Sequence, residues 1–201
     1  MFVMICAALF AAALYWIHPF LAVSNPLSDG ALTIEGWVED RTLQEAIAEF
    51  RRGHYTMLYV TGGPLERGAP LSEYRTTAEF GVATLLRMGM SKDSVQAVPA
   101  PLVRRDRTYA AAMALKRWLD AQHVVLPNLT VVAPGPHARR TRLLFQKAFG
   151  ETTHVGVLAA KDLGYDPQKW WMSSNGFRAE IDEAIAYVYA RLLFDPEEES
   201  K

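Results

Sequence analysis

The feature that most constrains the fold is the alternation of short apolar runs with helical patterns along residues 31–194. Five runs have the composition of β-strands, at residues 31–38, 57–61, 95–98, 129–133 and 155–159. These runs are continuously apolar rather than alternating, which is typical of strands covered on both faces. The pattern therefore predicts an α/β domain with a mostly parallel sheet of about five strands.

The segments between these runs have the periodicity of amphipathic helices. Leu43, Ala46, Ile47 and Phe50 follow the spacing i, i+3, i+4 and i+7, and Gly53 is expected to end that helix. Further helices are predicted at residues 73–88, 108–121, 137–149 and 177–194. The last of them has an apolar stripe formed by Ile181, Ala184, Ile185, Val188 and Leu192.

Composition excludes several classes of protein. The chain has 201 residues, which suits one domain with an appendage. Its formal net charge of −1 disfavours a nucleic-acid partner, because such proteins usually carry a basic excess. A single cysteine, Cys6, excludes an intrachain disulfide framework and a multi-cysteine metal site. No repeat of fixed period is visible.

The N-terminus begins with an unbroken apolar run from Met1 to Ile17, and apolar residues resume at 20–23. No Lys or Arg precedes Arg41, so this segment can enter a bilayer without burying a cationic side chain. Residues 1–24 are predicted to be an uncleaved signal anchor or a signal peptide cleaved near residues 22–24. A buried core helix is the remaining interpretation. Either of the first two places the rest of the chain outside the cytoplasm.

The domain boundaries follow from the turn-forming residues on each side of the alternating pattern. Residues 25–30 contain Asn-Pro and Ser-Asp-Gly and are predicted to be a linker. The α/β domain then occupies residues 31–195, and residues 196–201 form an acidic tail.

The candidate catalytic and ligand-binding residues lie in or near the loops that follow the strands, because ligands bind at the carboxyl ends of parallel strands. Glu35 lies in the last part of the first run and is a candidate base or ligand-binding carboxylate, whereas Asp40 is interpreted as a helix N-cap. Gly62 and Gly63 follow the second run, where backbone N–H groups can approach an anion. Gly-Gly-Pro is also an ordinary turn signal, and both interpretations remain open.

Two clusters of arginines stand where helices begin, at residues 104–107 and 139–142. Cations are disfavoured at a helix N-terminus by about 0.3–1 kcal/mol each. An N-terminus that carries arginines is therefore a candidate phosphate site, and exposed loops paired with surface acids are the alternative. His137 is either an acid–base group or a hydrogen-bonded histidine. The candidate site comprises Glu35, Gly62, Gly63, Asp106, Arg107, Thr108, His137, Arg139 and Arg140.

Other kinds of site lack their sequence signals. The five histidines show no metal-ligand spacing, so no metal site is predicted. The nucleophile elbow of serine hydrolases and the glycine-rich motifs of dinucleotide and P-loop proteins do not occur. The sequence indicates no particular cofactor.

An ordered series of short motifs resembles the ElyC/SanA/YdcF family, the domain of unknown function 218. The series is a strand with Thr-Gly-Gly at 58–63, a helix ending at 88–90, Arg107-Thr108, and His137 followed by Arg140. The resemblance covers residues 30–192 and implies a Rossmann-like three-layer fold, often with an N-terminal membrane anchor. It also implies that Gly62, Gly63, Thr108, His137 and Arg140 bind a ligand. Glu35-Gly36-Trp37 and Arg107 differ from the residues that are common in the family.

Two hypotheses of different classes follow. In the first, which takes its bacterial cell-envelope context from the resemblance to this family, a domain anchored in the inner membrane, on its periplasmic or outer side, binds or processes a phosphorylated metabolite of peptidoglycan or lipid-carrier metabolism. His137 then transfers a proton, with Glu35 or Asp106 as the opposing group. In the second, the domain is a non-catalytic envelope factor that senses a ligand or recruits a partner. A nucleotide or S-adenosylmethionine binder is a weaker alternative.

Overall fold

A computed structural model describes residues 4, 14–66, 68–161 and 164–196. Strands and helices alternate along it. The strands are β1 (Asp29–Glu35), β2 (His54–Gly62), β3 (Val95–Pro99), β4 (Asn128–Pro134) and β5 (His154–Ala160). The main helices are α1 (Asp40–Arg52), α2 (Thr77–Arg87), α3 (Arg107–Ala121), α4 (Ala138–Phe149) and α5 (Ser174–Leu192). Short 3-10 turns occupy Ala69–Leu71, Lys92–Ser94, Gly135–His137 and Pro167–Met172.

The five strands form one sheet in the order β3-β2-β1-β4-β5, and every pair of neighbours is parallel. This confirms the predicted α/β class and strand number. The order is consistent with a Rossmann-like arrangement. β2 and β3 lie on one side of β1, whereas β4 and β5 lie on the other side. The order in which the chain adds strands to the sheet therefore reverses between β1 and β4.

Helices cover both faces of the sheet, as the continuously apolar strands predicted. On one face, Leu43 and Ile47 of α1 and Leu85 of α2 pack in one core cluster with Ile34 and Val60. On the other face, α3 and α4 pack through Leu115 and Phe145 in a second cluster with Tyr59 and Val131. Successive residues of each strand point to opposite faces, so the two clusters take alternate positions along β1, β2 and β4.

Local signals moved some boundaries from their predicted positions. α2 begins at Thr77 rather than near residue 73, because Thr76 and Glu79 form a capping box there. Asp40 was predicted to cap α1, but it is the first helical residue, and the N-cap Glu39 makes no side-chain capping bond. Gly53 does end α1, as predicted.

Helix α5 turns its apolar stripe outward. Ile185, Val188 and Leu192, members of that stripe, are exposed by 66%, 52% and 73%. The buried side of α5 instead carries Glu180 and, less completely, Glu183, where the helix packs on the rest of the domain. A helix normally buries its apolar stripe, so this orientation needs a separate explanation.

Residues 14–21 form a helix that packs on the domain. Leu21 is fully buried, and Trp170 Nε1 donates a hydrogen bond to the Leu14 carbonyl at 2.8 Å. His18 Nδ1 lies 2.5 Å from Oε1 of Glu180, which is fully buried. Most of the predicted anchor, residues 1–3 and 5–13, lies outside the described residues. Among the described helices, none is long and apolar enough to cross a membrane.

Residues 25–30, predicted to be a linker, are bound to the sheet. Asn25 and Val157 exchange two backbone hydrogen bonds, of 2.7 and 3.2 Å, at the edge of β5. Leu27 N donates to Thr130 Oγ1 at 2.9 Å, and β1 begins at Asp29. The ordered domain therefore extends N-terminally beyond the predicted start at residue 31.

Candidate functional site

A cluster of charged side chains lies where the sheet reverses its strand order. Glu35 is the last residue of β1, and His137 ends the turn that follows β4, the neighbouring strand. In open α/β sheets, ligands bind at the carboxyl ends of the strands at this position. Both side chains are almost fully buried, with 6% and 8% of their surface exposed.

His137 lies between two carboxylates. Its Nδ1 is 2.8 Å from Glu183 Oε1, and its Nε2 is 3.4 Å from Glu35 Oε2. The hydroxyl of Thr141 donates to the His137 carbonyl at 3.0 Å and so holds the backbone of the turn. The Trp37 ring packs edge-on against the imidazole, with 5.5 Å between ring centres. The imidazole therefore has a fixed orientation, with its Nε2 towards Glu35.

Arg140 holds the Glu183 carboxylate with two parallel hydrogen bonds. Nε donates to Oε2 at 2.8 Å, and Nη2 donates to Oε1 at 2.9 Å. The same Nη2 lies 2.9 Å from His137 Nδ1, so Glu183 Oε1 is shared by two potential cations that are themselves in contact. Arginine suits this role because its planar guanidinium matches the two oxygens of a carboxylate. When His137 is protonated, the charges of Glu35, Glu183, Arg140 and His137 add to zero.

These contacts set the protonation of the cluster. Burial alone would lower the pKa of His137, but the hydrogen bonds to Glu183 and Glu35, together with their negative charges, raise it above its ordinary 6.5. Burial alone would raise the pKa of Glu183, but hydrogen bonds from Arg140 and His137 lower it to about 2. The cluster therefore favours a charged imidazolium beside an ionised Glu183 carboxylate.

We expect the free energy of unfolding to be highest between about pH 4.5 and 6.5. Below pH 4.5 Glu183 is protonated in the unfolded state but still ionised in the folded state, whose pKa is about 2. The free energy of unfolding therefore falls as the pH decreases towards 2. Above pH 6.5 His137 is neutral in the unfolded state but still protonated in the folded state, where its pKa is raised. The contribution of His137 to the free energy of unfolding is therefore lost as the pH rises through that raised pKa. Urea unfolding from pH 3 to 9 measures this curve. In His137→Asn the alkaline decline should shrink, and an unchanged decline would contradict the assignment.

Thr108 completes the buried part of the cluster. It is the second residue of α3, and its Oγ1 donates to Glu35 Oε2 at 3.5 Å. The contacts at Glu35 are long, which is common for acid–base groups without a ligand. Four residues singled out in the sequence, namely Glu35, Thr108, His137 and Arg140, thus come together from different elements.

The other predicted charges have separate partners. Arg107 pairs with Glu66 at 3.2 Å, and both side chains are more than half exposed. Arg139 Nε donates to the Phe20 carbonyl, and its guanidinium lies 4.0 Å from the centre of the Phe20 ring. Asp106 is 3.9 Å from Arg105 Nε and 3.5 Å from the Tyr189 hydroxyl. The described contacts of Asp106 do not include His137.

The glycines at the ends of β1 and β2, at positions 36, 62 and 63, have different surroundings. A Cβ on Gly62 would lie 2.0 Å from Thr77 Oγ1, and one on Gly36 would lie 2.0 Å from the Thr77 carbonyl oxygen. Both glycines therefore permit the close approach of α2 to the sheet. A Cβ on Gly63 would meet nothing nearer than 3.7 Å, and the Gly63 carbonyl accepts the Thr77 N–H at 2.9 Å. Anion binding at Gly62 and Gly63 stays a prediction.

Glu183 is the functional candidate that the sequence analysis missed. It lies 43 residues from Arg140 in sequence, on a helix whose stripe of isoleucine, valine and leucine indicated a different buried face. The available signal was the i, i+3 spacing of Glu180 and Glu183 on the side of α5 away from that stripe. Two carboxylates on one helical side are usually a solvated face, so this signal alone was weak.

Within the described residues, no group of three or more histidine, cysteine, aspartate or glutamate side chains is arranged to hold a metal ion. Comparison with known proteins gave no match to a family model, a curated protein or a solved structure.

Proposed function

We propose that this protein binds a phosphorylated metabolite of the bacterial cell envelope and transfers a proton through His137. One observation carries the proposal. Glu35, Thr108, His137 and Arg140 lie far apart in sequence, yet they converge at the carboxyl edge between β1 and β4. Three of the four, Thr108, His137 and Arg140, are also positions of the ElyC/SanA/YdcF-like motifs.

The assigned roles follow from the contacts of each group. Protonated His137 acts as the general acid, and Glu35, which faces Nε2, is the opposing base. Glu183 holds Nδ1 and is itself held by the two bonds from Arg140, so this pair positions the imidazole without touching the ligand. Such a pair fixes which nitrogen of the ring faces the reacting group.

Phosphate binding is assigned to the start of α3 and α4. Both helices begin at the carboxyl edge of the sheet, where unpaired N–H groups of a first turn attract anions. Arg107 and Arg139 stand in these turns and supply cationic side chains. Arg140 contributes mainly through its charge, because its hydrogen bonds go to Glu183 and His137.

The location of the protein is part of the proposal. The apolar run Met1–Ile17 would anchor the chain in the bacterial inner membrane, and the domain would face the periplasm or cell exterior. Polyprenyl phosphates and phosphorylated peptidoglycan precursors are the ligand classes available there.

The test uses the full chain in detergent with polyprenyl phosphate, peptidoglycan precursors, nucleotides and inorganic phosphate as separate ligands. A ligand that binds the folded state should raise the melting temperature. With the ligand that binds, His137→Asn should keep binding but lower turnover by about 10²–10⁴-fold. His123→Asn, at an exposed histidine, is the matched control. Full activity in His137→Asn would remove the acid–base role.

A second candidate function, a non-catalytic envelope factor, is favoured by one observation. The hydrogen-bonding groups of Glu183 are used by Arg140 and His137 within the cluster, as in a purely structural ion pair. On this alternative, a phosphorylated ligand binds and Arg107→Ala weakens binding, but no ligand is ever consumed. Product analysis after prolonged incubation distinguishes the two functions.

A further inference from the structure

Exposed apolar side chains of the α5 stripe, of the turn before α5 and of the helix at residues 14–21 are here grouped as the α5 surface. It consists of Tyr15, Trp16, Trp171, Met172, Phe177, Ile185, Val188 and Leu192. Each of these residues is at least 39% exposed. Single exposed apolar residues are ordinary, but a set on one helix stripe and the turn before it marks a contact surface.

The helix at residues 14–21 runs beside α5 in the same direction. Leu14 contacts Trp170 just before α5 begins, His18 contacts Glu180, and the Phe20 ring lies 5.5 Å from the Tyr187 ring. The apolar sequence that precedes Leu14 therefore joins the domain at the N-terminal end of α5. Trp171 and Met172 lie at the same end.

The composition of the surface matches a lipid interface better than a protein core. Tryptophan and tyrosine concentrate where a bilayer meets water, and they stand at the end from which the apolar run extends. At 100° per residue, the exposed Arg178 and Arg191 flank the stripe on either side. Cations in such positions reach lipid phosphates while the stripe enters the acyl boundary.

We propose that the α5 surface lies on the lipid bilayer into which the apolar N-terminal run inserts. This rests on the membrane location in the proposed function, and it adds a fixed orientation of the domain. The buried side of α5 holds Glu183 at the site while the other side contacts lipid. The site is thereby held close to the membrane surface, where a lipid-linked phosphate would be presented.

The experiment uses the full chain with Cys6→Ser and one new cysteine, either Ile185→Cys or Val188→Cys. The matched control is Arg51→Cys, at an exposed position on α1, which packs on the opposite face of the sheet. Each cysteine receives an environment-sensitive fluorophore. The protein is reconstituted at one chain per nanodisc of phosphatidylethanolamine and phosphatidylglycerol. Iodide in the buffer and nitroxide-labelled lipid in the disc are the two quenchers.

We expect labels at 185 and 188 to be quenched severalfold less by iodide than the label at 51, and strongly by the nitroxide lipid. If the labels at 185 and 188 are quenched by iodide as strongly as the label at 51 while the chain stays with the discs, the contact of the α5 surface with lipid is wrong, but the membrane location is not. A chain that leaves the discs would overturn the membrane location itself. Protection only with several chains per disc would assign the surface to a second copy. Protection without lipid quenching would assign it to the N-terminal segment of the chain.

Discussion

Glu183→Ala should lower the free energy of unfolding by about 3 kcal/mol, near the low end for breaking a buried ion pair. The substitution leaves Arg140 and His137 in contact without the carboxylate that compensates their charges. The cost stays at the lower end because about a fifth of the Arg140 side chain is exposed. Urea unfolding near pH 6 measures the loss, since both partners are charged there.

Asp182→Ala is the matched control for this prediction. Asp182 is the preceding residue on α5 and is exposed, so its removal should change stability by less than about 0.5 kcal/mol. Combining Glu183→Ala with Arg140→Met should cost less than Glu183→Ala alone, because no buried guanidinium is left unpaired. Equal losses in the single and double variants would mean that the pair contributes only through packing.

A chain that begins at Asn25 should be less stable than one that begins at Leu14 by about 3–5 kcal/mol. The shorter chain lacks Leu21, and removing a fully buried leucine side chain typically costs about 2–5 kcal/mol. It also removes His18 from the Glu180 carboxylate, which keeps the hydrogen bond from the Tyr165 hydroxyl at 2.8 Å. Thermal and urea unfolding of the two chains measure the difference.

Two variants separate the causes of that loss. Leu21→Ala in the longer chain should reproduce the loss of stability that comes from packing. Glu180→Gln in the shorter chain should recover part of the remaining loss, because it removes a carboxylate that no longer has His18 as its partner. Equal stability of the two chains would show that residues 14–24 are not part of the folded domain. Cleavage near residues 22–24 would remove the same contacts, so a large loss also favours the uncleaved anchor over a signal peptide.

Much of the fold could be predicted because each strand is a compact apolar run between turn residues. Positions such as Glu35 and His137 were also predictable, since they lie at or shortly after the ends of strands whose carboxyl ends meet at one edge. Their pairing depended on the strand order, which brings β1 next to β4 and which periodicity does not encode. Sequence pattern therefore indicated four members of the site, but not Glu183 and not the contacts between them.

Helix α5 was harder for a physical reason. Periodicity identifies an apolar stripe, but it does not say whether the stripe meets the protein core or another apolar phase. The sequence analysis therefore gave no role to Glu183, whose side of the helix makes the contacts with Arg140 and His137. The same ambiguity affected residues 14–24, where an apolar composition predicted an anchor and Leu21 proved to be a core residue.

The surroundings of the glycines have a consequence for sequence variation among relatives. Any relative that keeps α2 in this position should retain glycine at 36 and 62, because an added methyl group would overlap Thr77 in both cases. Position 63 is under no such restriction, since a Cβ there would meet nothing nearer than the Pro101 carbonyl oxygen at 3.7 Å, an ordinary van der Waals contact. If relatives nevertheless keep glycine at 63, the reason is a bound molecule that approaches the backbone there. Retention of this glycine would then indicate ligand binding, because packing within the domain does not require it.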